Sequence, residues 1–454
     1  MKTETASRND ITDGVIWQQI LIFFFPILIG TFFQQLYNTA DAVVVGRYLG
    51  KEALSAVGGT TGTLINLLVN FFVGLSSGAT VIISQYYGGR KYKDVSDSVY
   101  TSLGIAIIGG VILMVVGIAG APAALRAMNT PEDVIRYSLI YIRIYFTGMI
   151  ANMIYNVGSG ILRAVGDSKR PLYFLIVSCV VNIVLDLFFV AVLGIGIYGV
   201  AIATVISQFI SAILVLLVLK RTDEPYQIQF RELHVNSDKL EKIFKIGLPA
   251  GIQSVMYGIS NILIQTCINS FGTDTVAAWT AYSKIDGLFW MMMGAFGVSI
   301  TTFTGQNYGA GKLERVKKGA VQCMGISMFA AVALSAILFF SNQYLFLLFT
   351  DDSVVIEIGM KILRFLVPSY FTFVAIEILS GALRGMGDSL IPMIITGCGV
   401  CGLRIIWIFT AVPIKPGIET VAFSYPLSWA ITSVLFIFYY KHYWRKKHGV
   451  QKAD

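Results

Sequence analysis

Long apolar runs broken by short polar punctuation carry the chain from residue 15 to residue 440. A helix needs about 20 apolar residues to cross a bilayer. Read against that length, the pattern predicts twelve spans, at 15–46, 53–87, 96–119, 132–162, 171–193 and 198–219, then at 241–270, 275–308, 316–341, 353–383, 391–413 and 417–440. The longest polar stretch, RTDEPYQIQFRELHVNSDKL, falls between the sixth and seventh spans. It sets expected boundaries of 1–221 for a first lobe, 222–240 for a linker and 241–454 for a second lobe with a basic tail.

The two parts repeat one another. GILRAVGDSKRP at 160–171 and GALRGMGDSLIP at 381–392 are identical at 7 of 12 positions, with an offset of 221. QYYGGRK at 85–91 matches QNYGAGK at 306–312 at the same offset, and Pro26 falls near Pro249. Each copy holds six spans, an even number, so the copies are parallel and related by an axis along the membrane normal. The expected fold class is an all-α integral membrane protein, twelve transmembrane helices in two pseudo-symmetric six-helix bundles. Rocking transporters use such duplication, with a site between or within the bundles; channels and enzymes rarely need it.

Composition sharpens this. The 454 residues hold 34 Lys+Arg and 26 Asp+Glu, or 13% charged, about half the share of a soluble domain. With 56% apolar residues and a mean hydropathy of +0.72, a water-soluble surface is excluded. Summing alternate loops places 23 Lys and Arg on one side against Arg47, Lys51, Arg126 and Lys415 on the other. That asymmetry predicts a multi-pass protein of the plasma (cell inner) membrane with both termini cytoplasmic. No removable signal peptide is expected, because the first apolar run is a full span. The net charge of +8 then sets topology, and no nucleic-acid partner is expected. The three histidines lie in polar stretches and the five cysteines in apolar runs. Zinc, haem and other cofactors are not expected, and the cysteines read as small core residues.

The repeat separates scaffold from chemistry. Arg143 with Arg364, Arg163 with Arg384 and Asp167 with Asp388 recur at the offset and read as structural. Asp41 has no counterpart, since the second copy offers Leu263 or Ile264. It shares a helix face with Gln34 and Asn38. Asn182 and Asp186, one turn apart on span 5, align with Leu403 and Trp407 in the other copy and are equally singular. A carboxylate at membrane depth is costly and usually faces a pathway. With the hydroxyl of Thr204 on span 6, these groups would supply oxygen ligands for a small hard cation such as Na+, or could equally share a proton.

The second copy has singular groups of its own. Glu377 stands where the first has Asn156, Asp286 where it has Leu64 or Ile65, and Arg404 where it has Ile183. Gln253, Tyr257, Asn261, Gln265 and Asn269 form a polar stripe on span 7, suited to lining a cavity or to joining helices. Met291, Met292 and Met293, with Trp279, Tyr282 and Trp290 nearby, would suit a deformable pocket for flat cations or plain packing. The expected substrate cavity draws on Gln34, Asn38, Asn156, Gln253, Tyr257, Asp286, Met292 and Glu377.

Together, QLYNTADAVVVGRYLG (35–50), ISQYYGGRK (83–91), GILRAVGDSKRP, VNIVLDLFF (181–189), FTGQNYGAGK (303–312), GALRGMGDSLIP and Pro26 make the chain resemble the multidrug and toxic compound extrusion (MATE) transporters, over nearly its whole length. The resemblance implies a V-shaped pair of lobes, and export of organic cations and amphiphilic compounds against inward H+ or Na+. Its DinF-like branch implies a cation-coupling site on an Asp of helix 1, an Asn and Asp four apart on helix 5 and a Thr on helix 6. Asp41, Asn182, Asp186 and Thr204 match those positions. A branch coupling through second-lobe carboxylates has an acid on helix 7, where this chain has Tyr257, although Asp286 and Glu377 keep a second-lobe contribution open. Pro26 is the expected hinge, the protein is expected to be a monomer in lipid, and an enzymatic role is not expected. The rival is a flippase of related fold for a lipid-linked anionic precursor, which would need a cationic cavity.

Overall fold

The computed structural model describes residues 11–128 and 130–451, with backbone alone at 51, 60 and 447–451. Lys2, Arg8 and Lys452 of the charge count lie outside the described residues. The first copy comprises α1 (Ile16–Tyr48), α2 (Lys51–Gly58) running into α3 (Thr60–Gly88), α4 (Tyr92–Ala127), α5 (Glu132–Thr147), α6 (Met149–Ala164), α7 (Lys169–Leu187) and α8 (Ile197–Arg221). The second comprises α9 (Ser237–Asn269), α10 (Thr273–Gly309), α11 (Leu313–Phe340), the short α12 (Asn342–Leu347), α13 (Ser353–Leu366), α14 (Phe371–Gly385), α15 (Leu390–Thr396), α16 (Leu403–Ile414) and α17 (Ile418–Gln451). Among the described residues there is no strand.

Spans 4 and 10 depart from the continuous helices predicted. They break at matching places in the repeat, α5 meeting α6 at 50° and α13 with its 3₁₀ turn meeting α14 at 52°. Gly148 occupies the first break, and Pro368 lies just before the second. Glycine weakens a helix, and proline removes an N–H and crowds the preceding turn. Hydropathy records burial, not direction, so neither bend shows in the apolar run. Nine stretches, with each bent pair as one more span, make eleven long and apolar enough to cross a membrane among the described residues. The twelfth predicted span, in α9, has 33 residues, about 50 Å, but its polar stripe lowers its hydropathy.

A turn shared by both copies shows what the repeated motif does. Gly166 and Gly387 hold φ of 98° and 93°, in the left-handed region that favours glycine. The next residue then serves a helix. Asp167 Oδ1 accepts from the Lys169 and Arg170 N–H groups at 3.1 Å each, capping α7, while Asp388 Oδ2 accepts from the Tyr439 hydroxyl at 2.5 Å.

The fold forms two compact units. One is Phe25–Gly251; the other takes Thr12–Phe24 together with the chain from Ile252 onward. The first turns of α1 therefore belong with the second unit. There Lys312 Nζ donates to Asp13 Oδ1 at 2.7 Å, Arg315 donates to the Asp13 and Gly14 carbonyls, and Phe24 stacks on Phe296 at 4.0 Å. Conversely, the linker and the first half of α9 belong with the first unit. Asn236 N–H donates to Thr101 Oγ1 at 3.0 Å, and Ile243 and Ile246 bury against Ala79 and Ile82. The first unit's core is Val95, Val99, Ile142, Phe146, Met149, Leu162, Val200 and Val215. That of the second includes Phe289, Phe296, Phe303, Phe346, Tyr370, Phe373 and Trp429.

Candidate functional site

Asp41, late in α1, is 4% exposed, and Asn182 and Asp186 of α7 and Thr204 of α8 are 0% exposed. All four lie in the first unit. The helical repeat places Asn182 and Asp186 on one face of α7, and the side chains of Asp186, Asn182 and Thr204 adjoin the Asp41 carboxyl. Thr204 Oγ1 lies 2.9 Å from the Val200 carbonyl and 3.4 Å from Asp41 Oδ2. A hydroxyl has a single hydrogen, so bonding to Val200 turns its lone pairs toward Asp41. From there it can accept a proton's bond or ligate a cation.

The remaining polar atoms are unsatisfied. Asp41 Oδ1, both carboxylate oxygens of Asp186 and both amide atoms of Asn182 are buried without a hydrogen-bond partner. Buried polar atoms are nearly always paired, and those that are not mark strain or function. Two ionised carboxylates side by side in such surroundings repel, and each is costly without a partner. The arrangement can therefore take up a proton between the acids, or a small hard cation held by carboxylate, amide and hydroxyl oxygens.

A cavity of about 270 Å³ is formed wholly within the first unit. Tyr37 and Tyr145 line it and stand within electrostatic reach of Asp41. Three helices each contribute two carboxamides one turn apart: Gln34 and Asn38 on α1, Asn66 and Asn70 on α3, Asn152 and Asn156 on α6. Of the predicted cavity residues, Gln34, Asn38 and Asn156 are in this wall. Asn66, Asn70 and Asn152 escaped the sequence reading. The repeat offset sets them against Gly287, Met291 and Phe373, so the asymmetry that isolates Asp41 also isolates them.

The other predicted cavity residues belong to the second unit. Gln253 is buried, donating to Thr396 Oγ1 at 3.0 Å and accepting from Arg384 Nη2 at 3.2 Å. Tyr257 lies within electrostatic reach of Glu377, Arg404 and Arg384. Glu377 is half-buried and packs so closely on Gly297 that a Cβ there would overlap its carboxylate. Asp286 accepts from the Tyr370 hydroxyl at 2.5 Å, the Trp290 indole at 2.6 Å and the Tyr282 hydroxyl at 3.2 Å. Met292 is half-buried on the same helix. Arg404, 1% exposed, lies 4.0 Å over the Tyr425 ring and donates to Ser428 Oγ at 3.1 Å.

The side chains of Arg143, Arg364 and Lys284 are exposed on the surface of the fold. Two of the cysteines differ from the core positions expected of them. Cys398, read as a core residue, is exposed while Cys401 is buried. Both sit in a π-helical turn, Gly397–Gly402, whose wider winding rotates them apart. Cys267 is only half-buried.

These features define a duplicated, multi-span membrane protein with buried acids beside a polar cavity. The MatE family profile matches residues 26–188 and 249–410, and the chain belongs to this family of multidrug efflux transporters. It is 30% identical over 443 residues to the probable multidrug resistance protein YoeA of Bacillus subtilis, covering 95% of each chain. To the probable multidrug resistance protein NorM of Thermotoga maritima it is 27% identical, covering 82% of this chain and 80% of that one. Its fold is also that of a MOP superfamily transporter from Pyrococcus furiosus, with a TM-score of 0.89 at 23% identity over 95% and 96% of the two chains.

Proposed function

We propose that this chain is a secondary antiporter of the plasma membrane, exporting organic cations or amphiphilic compounds in exchange for inward H+ or Na+ by alternating access. Asp41, Asn182, Asp186 and Thr204 form the coupling site, and both termini are cytoplasmic. The carrying observation is the convergence of two carboxylates, an amide and a hydroxyl, with five buried atoms unpaired, in the same unit as a cavity whose Tyr37 and Tyr145 are within electrostatic reach of Asp41. The coupling ion is cargo and needs no resident cofactor.

Entry of the ion neutralises the acid pair, and Tyr37 and Tyr145 carry that change to the cavity wall. α1 bears both Asp41 and wall residues, and Pro26 interrupts its hydrogen bonding, so the helix can bend as the site changes charge. The energetics fit: each inward charge gains about 2.3 kcal/mol per 100 mV, while a tenfold substrate gradient costs about 1.4 kcal/mol. One ion supports a modest gradient of neutral cargo; a monocation needs a second ion or a chemical gradient. The flippase alternative needs a cationic cavity, and the side chains lining this one include no Lys or Arg.

The test is transport by purified protein in liposomes with sodium and proton gradients imposed independently. Asp41→Asn and Asp186→Asn should each abolish ion-driven efflux while leaving the protein in the membrane. Wild-type efflux by either variant would overturn the assignment of the coupling site.

A further inference from the structure

The cavity of the first unit carries no formal charge among its lining side chains. Its polar wall consists chiefly of the three carboxamide pairs on α1, α3 and α6. Much of their hydrogen-bonding capacity is uncommitted. Asn38 donates to Gln35 Oε1 at 3.3 Å and Asn156 to the Asn152 side chain at 2.9 Å, whereas Gln34, Asn66 and Asn70 make no side-chain hydrogen bond within the described residues. Gln208 adds a seventh carboxamide; it is 7% exposed, lines the cavity, and its Oε1 is buried without a partner. Phe33, Tyr37, Tyr145 and Tyr155 supply ring faces between the amides.

We infer that this cavity selects uncharged amphiphiles, ring systems bearing several hydroxyl or carbonyl groups, over permanently charged organic cations. The inference rests on the exporter reading and narrows its substrate class. Each carboxamide offers donors and an acceptor, so the wall can match a mixed set of polar groups without favouring either sign of charge. A permanent cation loses its hydration on entry and finds no carboxylate among the lining side chains, only amide and hydroxyl dipoles and aromatic rings, so the wall offers its charge no ion-pair partner. A ring without polar groups leaves the amides unpaired, which is the stronger form of rejection. Neutral cargo also suits a site driven by one inward ion.

Two probes separate the possibilities: methylumbelliferyl glucoside, uncharged and rich in hydroxyls, and ethidium, a permanent aromatic cation. Equilibrium dialysis against the purified full-length protein should show the glucoside binding at least about tenfold more tightly than ethidium. Asn66→Leu and Asn152→Leu should each weaken glucoside binding roughly tenfold and leave ethidium unchanged. Asn66→Ser, a smaller polar replacement, should lose less than Asn66→Leu, separating lost hydrogen bonding from misfolding. Equal or tighter binding of ethidium, or Leu variants with wild-type glucoside affinity, overturns the inference. Binding with the expected preference but without ion-driven transport in liposomes supports the cavity assignment and overturns the exporter reading, so the two failures are distinct.

Discussion

Thr204 is the residue on which the proposed coupling site is most simply tested. Its hydroxyl lies between the Val200 carbonyl and Asp41 Oδ2, so its value lies in one oxygen. Thr204→Val keeps the shape and removes that oxygen. A hydrogen bond to a charged group is worth about 1.5–3 kcal/mol, so the half-saturating concentration of the coupling ion should rise roughly tenfold to a hundredfold. Thr204→Ser should stay near wild type. Ion-dependent transport in liposomes measures both, and a valine variant with unchanged ion dependence would remove Thr204 from the site. Residue by residue, legibility followed rarity. Asp41 and Asp186 stood out because a carboxylate at membrane depth is costly and absent from the other copy, Asn182 because it lies one turn from Asp186, and Thr204 through its place on the next span and the family resemblance; the structure brings the four side chains together. Asn66 and Asn70 were missed because a neutral amide in an apolar run stands out less than a charge. Gln253 and Asp286 show the reverse: their polar nature was plain, but their partners, Arg384 and Tyr370, lie more than 80 residues away in sequence.

Between elements, the crossing of α3 with α9 depends on the absence of side chains. Gly74 and Gly78 on one helix face Gly247 and Gly251 on the other, a four-residue spacing of small residues on each that lets backbones approach. A Cβ on Gly247 would overlap the Leu75 carbonyl, and one on Gly251 would come within 2.7 Å of the Phe71 carbonyl. Backbone cannot move aside as a flexible side chain can. Gly247→Ala should therefore destabilise the protein by about 1–3 kcal/mol. Gly294→Ala, in α10 with nothing within 4 Å of its Cβ, should be neutral or gain up to about 1 kcal/mol from helix propensity. Thermal unfolding in detergent compares the pair, and equal melting temperatures would show that the close approach is dispensable. Both small-residue motifs, GLSSG and GLPAG, stand in the sequence; what it does not show is that they face one another. The same limit explains the bends of 50° and 52°, where apolar periodicity continues through a change of direction.

Over the whole molecule, the apolar runs and their duplication made the helical architecture readable, yet they misplace the linker's character. Read from sequence as a polar connection, residues 222–236 are strapped to α4: Tyr226 and Ile228 are buried, and Tyr100 accepts from the Gln229 N–H at 3.1 Å and donates to Glu232 at 3.3 Å. At its end, before the apolar part of α9, buried Lys239 donates to Asp94 at 2.6 Å, Asp238 at 3.2 Å and the Tyr86 hydroxyl at 3.2 Å, while Lys242 donates to Asp238 at 2.9 Å. Burial pulls the Lys239 ammonium down, but its bonds to Asp94, Tyr86 and Asp238 outweigh this and hold it above the ordinary lysine range. Bonds from Lys242 and Lys239 hold the Asp238 carboxyl below the ordinary carboxylate range. A depressed carboxylate stabilises the fold above its unfolded value, about 3.9, and loses that contribution as pH falls through the lower folded value; a raised lysine stabilises below its unfolded value, about 10.4, and loses it as pH rises through the folded one. The latch is thus complete between those limits. Lys239→Met should lower the melting temperature across the neutral range, with the difference from wild type shrinking as acid protonates Asp238. A pH series of thermal unfolding in detergent measures this, and a difference that stays constant into acid would show that Lys239 acts by packing alone.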